Sequence, residues 1–132
     1  MRLLGILLAL MFCGTAHAQE RKSFVIPFHS VNSLILLDAH VNGKSVTLIL
    51  DTGARQTQLD RKAAGQSVTV AVLYVDLQIA DYRERSFRIL SMDLERILRD
   101  IPHADGILGQ DWLRSFRSVK IDYKTQTVTL EE

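Results

Sequence analysis

The twelve residues Leu48–Leu59, LILDTGARQTQL, decide how this chain is read. An apolar run ends on a carboxylate, Asp51, which is followed at once by Thr52, Gly53 and Ala54. An ionised carboxylate at the end of a buried strand is costly unless hydrogen bonds hold it or it does chemistry. The neighbours supply the means. Gly53 lets the backbone turn sharply enough for its N–H to point back at the carboxylate, and the Thr52 hydroxyl has the reach to bond another backbone segment. An ordinary strand and turn is the plain alternative, since Asp, Thr and Gly are all common in turns.

Outward from this stretch the dominant period is two, the period of strands. Leu34–Val41 (LILLDAHV) and Lys44–Leu50 (KSVTLIL) flank Asn42-Gly43, a dipeptide that favours the positive backbone angles of a tight hairpin, and are expected to pair antiparallel. Ser67–Ile79 is rich in β-branched residues, and Ser86–Leu90 and Gly106–Leu108 are shorter strand candidates. Val119–Asp122 and Thr127–Leu130 bracket a Tyr-Lys-Thr-Gln turn as a closing hairpin. The charge-rich Asp81–Arg88 (DYRERSFR) reads as a solvated turn and edge. Helical patterning is weak over Met92–Leu98 and better over Gln110–Phe116, where Trp112, Leu113 and Phe116 share one face as core residues. Many short strands with one late helix indicate an all-β barrel or sandwich.

A second element changes the weight of the first. Ala104-Asp105-Gly106-Ile107-Leu108-Gly109-Gln110-Asp111-Trp112-Leu113 sets an apolar pair between two glycines and then starts a helix. With both motifs in this order, the sequence resembles the retropepsin-like aspartic proteases, the single-lobe relatives of retroviral protease and pepsin. That family carries Asp-Thr-Gly-Ala or Asp-Thr-Gly-Ser after an apolar strand, then an apolar-apolar-Gly element packed beside it and a short helix. The likeness runs through Val46–Ala54, Asp105–Leu113 and the Val119–Tyr123 hairpin.

The resemblance implies a closed acid-protease-type β-barrel with one short C-terminal helix, and hydrolysis of peptide bonds by an aspartate pair. Two adjacent carboxylates share one proton, so one acts as general base on a bound water while the other protonates the carbonyl oxygen. Asp51 is then the catalytic residue, supported by Thr52, Gly53 and Ala54. Asp105, Gly106, Ile107, Leu108 and Gly109 form the second structural element, not a second member of the pair. The chain has a single Asp-Thr-Gly, so the other aspartate would be Asp51 of a second copy in a twofold homodimer. Neither metal nor cofactor is implied; the partners are a peptide or protein substrate and the second copy.

The sequence departs from the family pattern in two places. Arg55–Gly65 is short and polar where the family places a strand and the start of a substrate-covering flap, so a reduced flap is expected. Gln110 stands where retroviral enzymes tend to have arginine, while Asp111 keeps the third position of that pattern.

Composition frames these readings. At 132 residues, 47% hydrophobic and 23% charged, the chain suits one small domain with a modest core. Residues 1–18 are set apart: Arg2, the apolar Leu3–Phe12 and the small residues of Ala16-His17-Ala18 form the pattern of a secretory signal cut before Gln19. A lipid anchor on Cys13 is the competing reading, disfavoured by bulky Phe12 beside it. The domain is therefore expected to span residues 19–132, in a periplasmic or secreted protein with no stable membrane anchor after processing. Cys13 is the only cysteine, so the processed chain has no thiol nucleophile, disulfide or thiolate metal site. Removing Arg2 leaves equal numbers of basic and acidic residues, which gives no sign of a nucleic-acid partner.

Other chemistries find little support. There is no Gly-x-Ser-x-Gly elbow, His-Glu-x-x-His helix or phosphate-binding glycine loop, and His29, His40 and His103 lack ligand spacing. An exported aspartic endopeptidase is the leading expectation. A noncatalytic binding module on the same barrel with a reduced flap is the second, and a β-domain whose Asp-Thr-Gly is coincidental the third.

Overall fold

Asn42 and Gly43 hold backbone φ values of 50° and 80°, the left-handed pair that a two-residue hairpin turn needs, and they join two strands in the register their sequence predicts. The computed structural model describes residues 19–132; the expected leader, with Cys13, lies outside them. Among the described residues the order is β1 (Ser23–Pro27), β2 (His29–Val31), β3 (Leu34–Val41), β4 (Lys44–Leu50), β5 (Gln58–Asp60), β6 (Val70–Ile79), β7 (Tyr82–Met92), α1 (Glu95–Leu98), β8 (Gly106–Leu108), α2 (Gln110–Leu113), β9 (Ser118–Asp122) and β10 (Thr127–Glu131).

The larger sheet runs β2-β3-β4-β8-β5-β7-β6, and β6 pairs back onto β3 through Leu77↔Val41 and Gln78↔His40. The strands from β3 to β6 thus close into a six-stranded barrel, as expected for an all-β, acid-protease-type fold. Inside it lie Leu37, Leu48, Leu59, Ile79 and Leu108, all nearly free of solvent. The long apolar runs of β3 and β4 have a separate cause. Their outward residues Leu36 and Ile49 are covered by Leu94 and Leu98 around α1, so both faces of these strands are buried and simple alternation is lost.

A smaller sheet, β1-β10-β9, packs its buried residues Phe24, Ile26, Val128 and Leu130 into the same core as the barrel. Phe24 of β1 packs edge-on against Tyr82 of β7 at 5.3 Å between ring centroids, and Tyr82 meets Phe116 at 5.1 Å and Trp112 at 5.7 Å. Such aromatic contacts contribute about 1 kcal/mol each beyond area burial. They tie terminal sheet, barrel and α2 into one core.

Three expectations need correction. Asp81–Arg88 is solvated at Asp81, Arg83, Arg85, Ser86 and Arg88 and has β6 alone beside it, yet it is more than a turn and edge: Tyr82 begins β7, which β5 joins only at Leu90–Met92, and Tyr82 and Phe87 are buried. The alternation of β7 was hidden by a bulge, since Val75 pairs Phe87 but Leu77 pairs Glu84, with Ser86 at φ 54° taking up the extra residue. The segment Arg55–Gly65 does contain a strand, β5, which pairs parallel with β7 and antiparallel with β8. Finally, the helix expected over Gln110–Phe116 ends at Leu113 and continues as tight turns through Ser115 N–H to Trp112 O and Phe116 N–H to Leu113 O. The predicted apolar face survives, with Trp112, Leu113 and Phe116 all buried.

Candidate active site

Asp51 sits one residue beyond β4 and is still tied to the sheet, because its N–H donates to Leu108 O at 3.0 Å. Strand alternation puts it on the face of Ile49, opposite Leu48 and Leu50. The residue is half-buried. Gly53 N–H donates to Asp51 Oδ1 at 2.8 Å, the return contact that the sequence leads one to expect, and Ala54 N–H reaches Asp51 O at 3.2 Å. A Cβ at position 53 would lie 3.2 Å from that same Oδ1, so glycine is what allows the close approach.

The loop after Asp51 is held by the element that begins at Asp105. Gln110 N–H donates to Ala54 O at 2.8 Å, and Gln110 Nε2 donates to Thr52 O at 2.6 Å. Gly109 is packed so closely that a Cβ there would be 2.8 Å from Ala54 O and 2.9 Å from Gln56 O. Thr57 N–H donates to Asp111 Oδ2 at 2.8 Å and its hydroxyl to Asp111 Oδ1 at 2.7 Å, while Gly109 N–H donates to Thr57 Oγ1 at 3.1 Å. The Asp-Thr-Gly-Ala turn and the start of α2 are therefore one unit built from two distant pieces of chain.

Asp105 makes a different set of contacts from Asp51. Its Oδ2 accepts from Thr47 N–H at 2.8 Å, its own N–H donates to Thr47 O at 2.8 Å, and its carbonyl accepts from Asp60 N–H at 2.7 Å. It fastens β4 and β5 around the entry to β8, a structural task. Ile107 of β8 is only part-buried and points away from the core residues Gly106 and Leu108 on either side. Thr52 is exposed, and the cross-link expected of its hydroxyl is made by its carbonyl instead.

A row of residues in cross-strand register extends the face on which Asp51 and Ile107 lie. Ile107 pairs Gln58, Gln58 pairs Leu90, and Leu90 pairs Val72. Val72 and its neighbours on the same side of β6, Val70 and Tyr74, are 47%, 58% and 68% exposed, and the outer edge of β6 is bonded to β3 only at its far end. Uncovered apolar residues on a free strand edge are a surface suited to receiving another extended chain. Residues 61–69, between β5 and β6, fold back on themselves through Ala64 N–H to Asp60 O and Gln66 N–H to Arg61 O. They form a compact turn and no hairpin, in keeping with a reduced flap.

The histidines contribute nothing to this face. His40 is exposed with Nε2 3.3 Å from Ser45 Oγ, and His103 is an exposed loop residue at φ 64°. What sequence reasoning missed is Thr57 and its link to Asp111: only the paired motifs hinted that position 111 mattered, and nothing in the sequence pointed to its partner.

No protein-family model matches the sequence, and no curated protein matches it either. Solved structures do match. A retropepsin-like aspartic protease from Rickettsia conorii superposes with a TM-score of 0.57 at 18% identity, covering 85% of this chain and 91% of that one. The retroviral protease-like domain of Ddi1 from Leishmania major gives a TM-score of 0.54 at 15% identity, covering 74% of this chain and 87% of that one. The fold is therefore retropepsin-like.

Proposed function

We propose that this retropepsin-like chain is an exported aspartic endopeptidase in which Asp51 residues from two copies form the catalytic pair. The observation that carries the reading is the setting of Asp51: a half-buried carboxylate at a strand end, one oxygen held by Gly53 N–H, on a turn braced by Gly109 and Gln110. One carboxylate of the pair takes a proton from a bound water, which attacks the peptide carbonyl, and the other gives its proton to the carbonyl oxygen. Collapse of the tetrahedral intermediate expels the amine with a proton returned from the pair. The row Ile107–Gln58–Leu90–Val72 supplies a surface for an extended peptide next to this centre.

The compact turn at residues 61–69 favours a second reading, a noncatalytic peptide-binding module, because no hairpin is available there to enclose a substrate. One experiment separates the two. Mature protein and its Asp51→Asn variant are incubated with a peptide library while light scattering reports mass. Cleavage by the wild type alone, with a dimeric mass, supports the peptidase. Binding without cleavage by either protein supports the module, and a strictly monomeric enzyme that still cleaves removes the paired-aspartate mechanism. Intact mass beginning at Gln19, as opposed to a retained Met1 or a lipid on Cys13, tests the expected export.

A further inference from the structure

A cleft of about 1050 Å³ lies where the loop after Ala54, the bulged part of β7 and α2 meet. Three arginines line it, Arg55, Arg88 and Arg114, each exposed and each from a different part of the fold. Two acids also line it, leaving three positive charges against two, and three of their four oxygens accept hydrogen bonds from within the chain. Glu84 Oε2 accepts from Tyr82 OH at 2.5 Å, and both oxygens of Asp111 are taken by Thr57 and Trp112 N–H. Among the described residues the ion pairs are Arg61–Asp93 and Lys62–Glu95, so none of the three arginines is within ion-pair distance of a carboxylate.

The cleft joins the face described above. Gln58, which lines it, is the residue in register with Ile107 and Leu90, and Arg88 lies two residues from Leu90 on the same side of β7, opposite Tyr74. Arg55 is four residues from Asp51. A peptide lying along the row Ile107–Gln58–Leu90–Val72 therefore passes the arginines with its side chains toward or away from them. Planar, permanently charged guanidinium groups recognise carboxylates through paired N–H donors, and such bonds are stronger than neutral ones.

We infer that the Arg55–Arg88–Arg114 cleft is a specificity site that selects peptides bearing a glutamate or aspartate side chain beside the segment held at the Asp51 face. This rests on the peptide-handling reading of that face, and it concerns which peptides are held, not how they are cut. The exposed arginines carry no part of the core, so their replacement leaves the barrel's packing untouched.

The test uses the mature chain carrying Asp51→Asn, so that binding is read without turnover. Fluorescein-labelled dodecapeptides, apolar at the two central positions to suit Ile107, Leu90 and Val72, carry one glutamate walked through the other positions, each with a glutamine twin. Fluorescence anisotropy at low salt is expected to show a glutamate twin bound roughly tenfold tighter at one position or two, the gain of a charge-assisted hydrogen bond. In Arg55→Gln/Arg88→Gln/Arg114→Gln that ratio falls toward one. In the unmodified cleft the ratio also shrinks between low and high salt, as it must for exposed charges, and this readout does not depend on the triple variant folding. Equal binding of every twin pair, or a ratio that persists in the triple variant or is indifferent to salt, overturns the inference. Selective binding of acidic peptides that wild-type Asp51 protein never cleaves upholds the inference and removes the peptidase reading alone.

Discussion

Thr57 and Asp111, far apart in the chain, are joined twice: Asp111 Oδ2 accepts the Thr57 N–H at 2.8 Å and Oδ1 accepts the Thr57 hydroxyl at 2.7 Å. Thr57 is buried, and its Oγ1 in turn accepts Gly109 N–H. The pair fastens the loop carrying Asp51 to the start of α2. Replacing Asp111 by alanine strands a buried amide and a buried hydroxyl, with a cost of about 2 kcal/mol. For a domain of this size that lowers Tm by about 10 °C. Thr57→Val keeps the volume but loses two of the hydroxyl's bonds and is expected to behave similarly. In a double-mutant cycle the two losses should fall well short of additive; full additivity in thermal melts would show that the residues act separately.

The second prediction separates two roles of glycine. A Cβ on Gly106 would overlap the Gln58 carbonyl oxygen and press on Leu48 and on the Leu59 backbone, exactly where β5 and β8 exchange their bonds in the barrel wall. Gly106→Ala should cost about 3 kcal/mol. Gly43 has open space around it, and only its φ of 80° resists a side chain, so Gly43→Ala should cost about 1 kcal/mol. Urea titrations of the two variants give the comparison, and equal midpoints would contradict it.

These contacts show why some of the fold was legible and some was not. The β3–β4 hairpin was readable because its information is local, two runs around Asn42-Gly43. The β8–α2 element was readable because glycines bracket an apolar pair. By contrast, β5 offers one apolar residue, Leu59, among polar neighbours, and it exists because β7 and β8 pair with it on either side. β1 has a clear in-out pattern at Phe24 and Ile26, yet its partner is β10 at the other end of the chain, which no local signal names. In β7 the two-residue period slips at Ser86, so Tyr82 and Phe87 face the same core at odd spacing. Of the site, the Asp51 turn was visible as a motif, while the Thr57–Asp111 link and the arginine cleft depend on elements brought together only by the barrel.

A third prediction concerns acid. Asp122 Oδ1 accepts N–H bonds from Thr125 and Lys124 in the closing turn, both at 3.0 Å. The Thr125 N–H above all, with Lys124 and the nearby Lys120 charge, holds the carboxyl below its ordinary pKa. A depressed folded-state pKa contributes stability that is present above the unfolded value, about 3.9, and is lost as pH falls through the folded one. Asp122→Ala should therefore lower Tm near pH 6 and make progressively less difference as the pH drops below about 4. A Tm difference that stays constant across that range would show that the turn does not depend on the ionised carboxylate.

The last prediction lies at the alkaline end and concerns Tyr82, where barrel, terminal sheet and α2 meet. Its ring is buried among Phe24, Trp112 and Phe116, and its hydroxyl donates to Glu84 Oε2 at 2.5 Å. Burial first, then the hydrogen bond to Glu84 and the charge of Glu84, raise the phenol well above its ordinary pKa. In the unfolded chain a tyrosine releases its proton near pH 10. A folded pKa above that value means the stabilisation is complete below about pH 10 and is lost as the pH rises further, because unfolding then frees a proton that the fold retains. Tyr82→Phe removes this proton and the bond to Glu84 together. At pH 7 it should cost about 1 kcal/mol, the net worth of one such bond. Between about pH 10 and pH 11.5 its Tm should decline less steeply than that of the wild type, so the two melting curves converge. Glu84→Gln keeps an acceptor but removes the charge, and its decline should be intermediate. Parallel declines for wild type and Tyr82→Phe would show that alkaline unfolding is driven by other groups and that the Tyr82 proton is not tied to the fold.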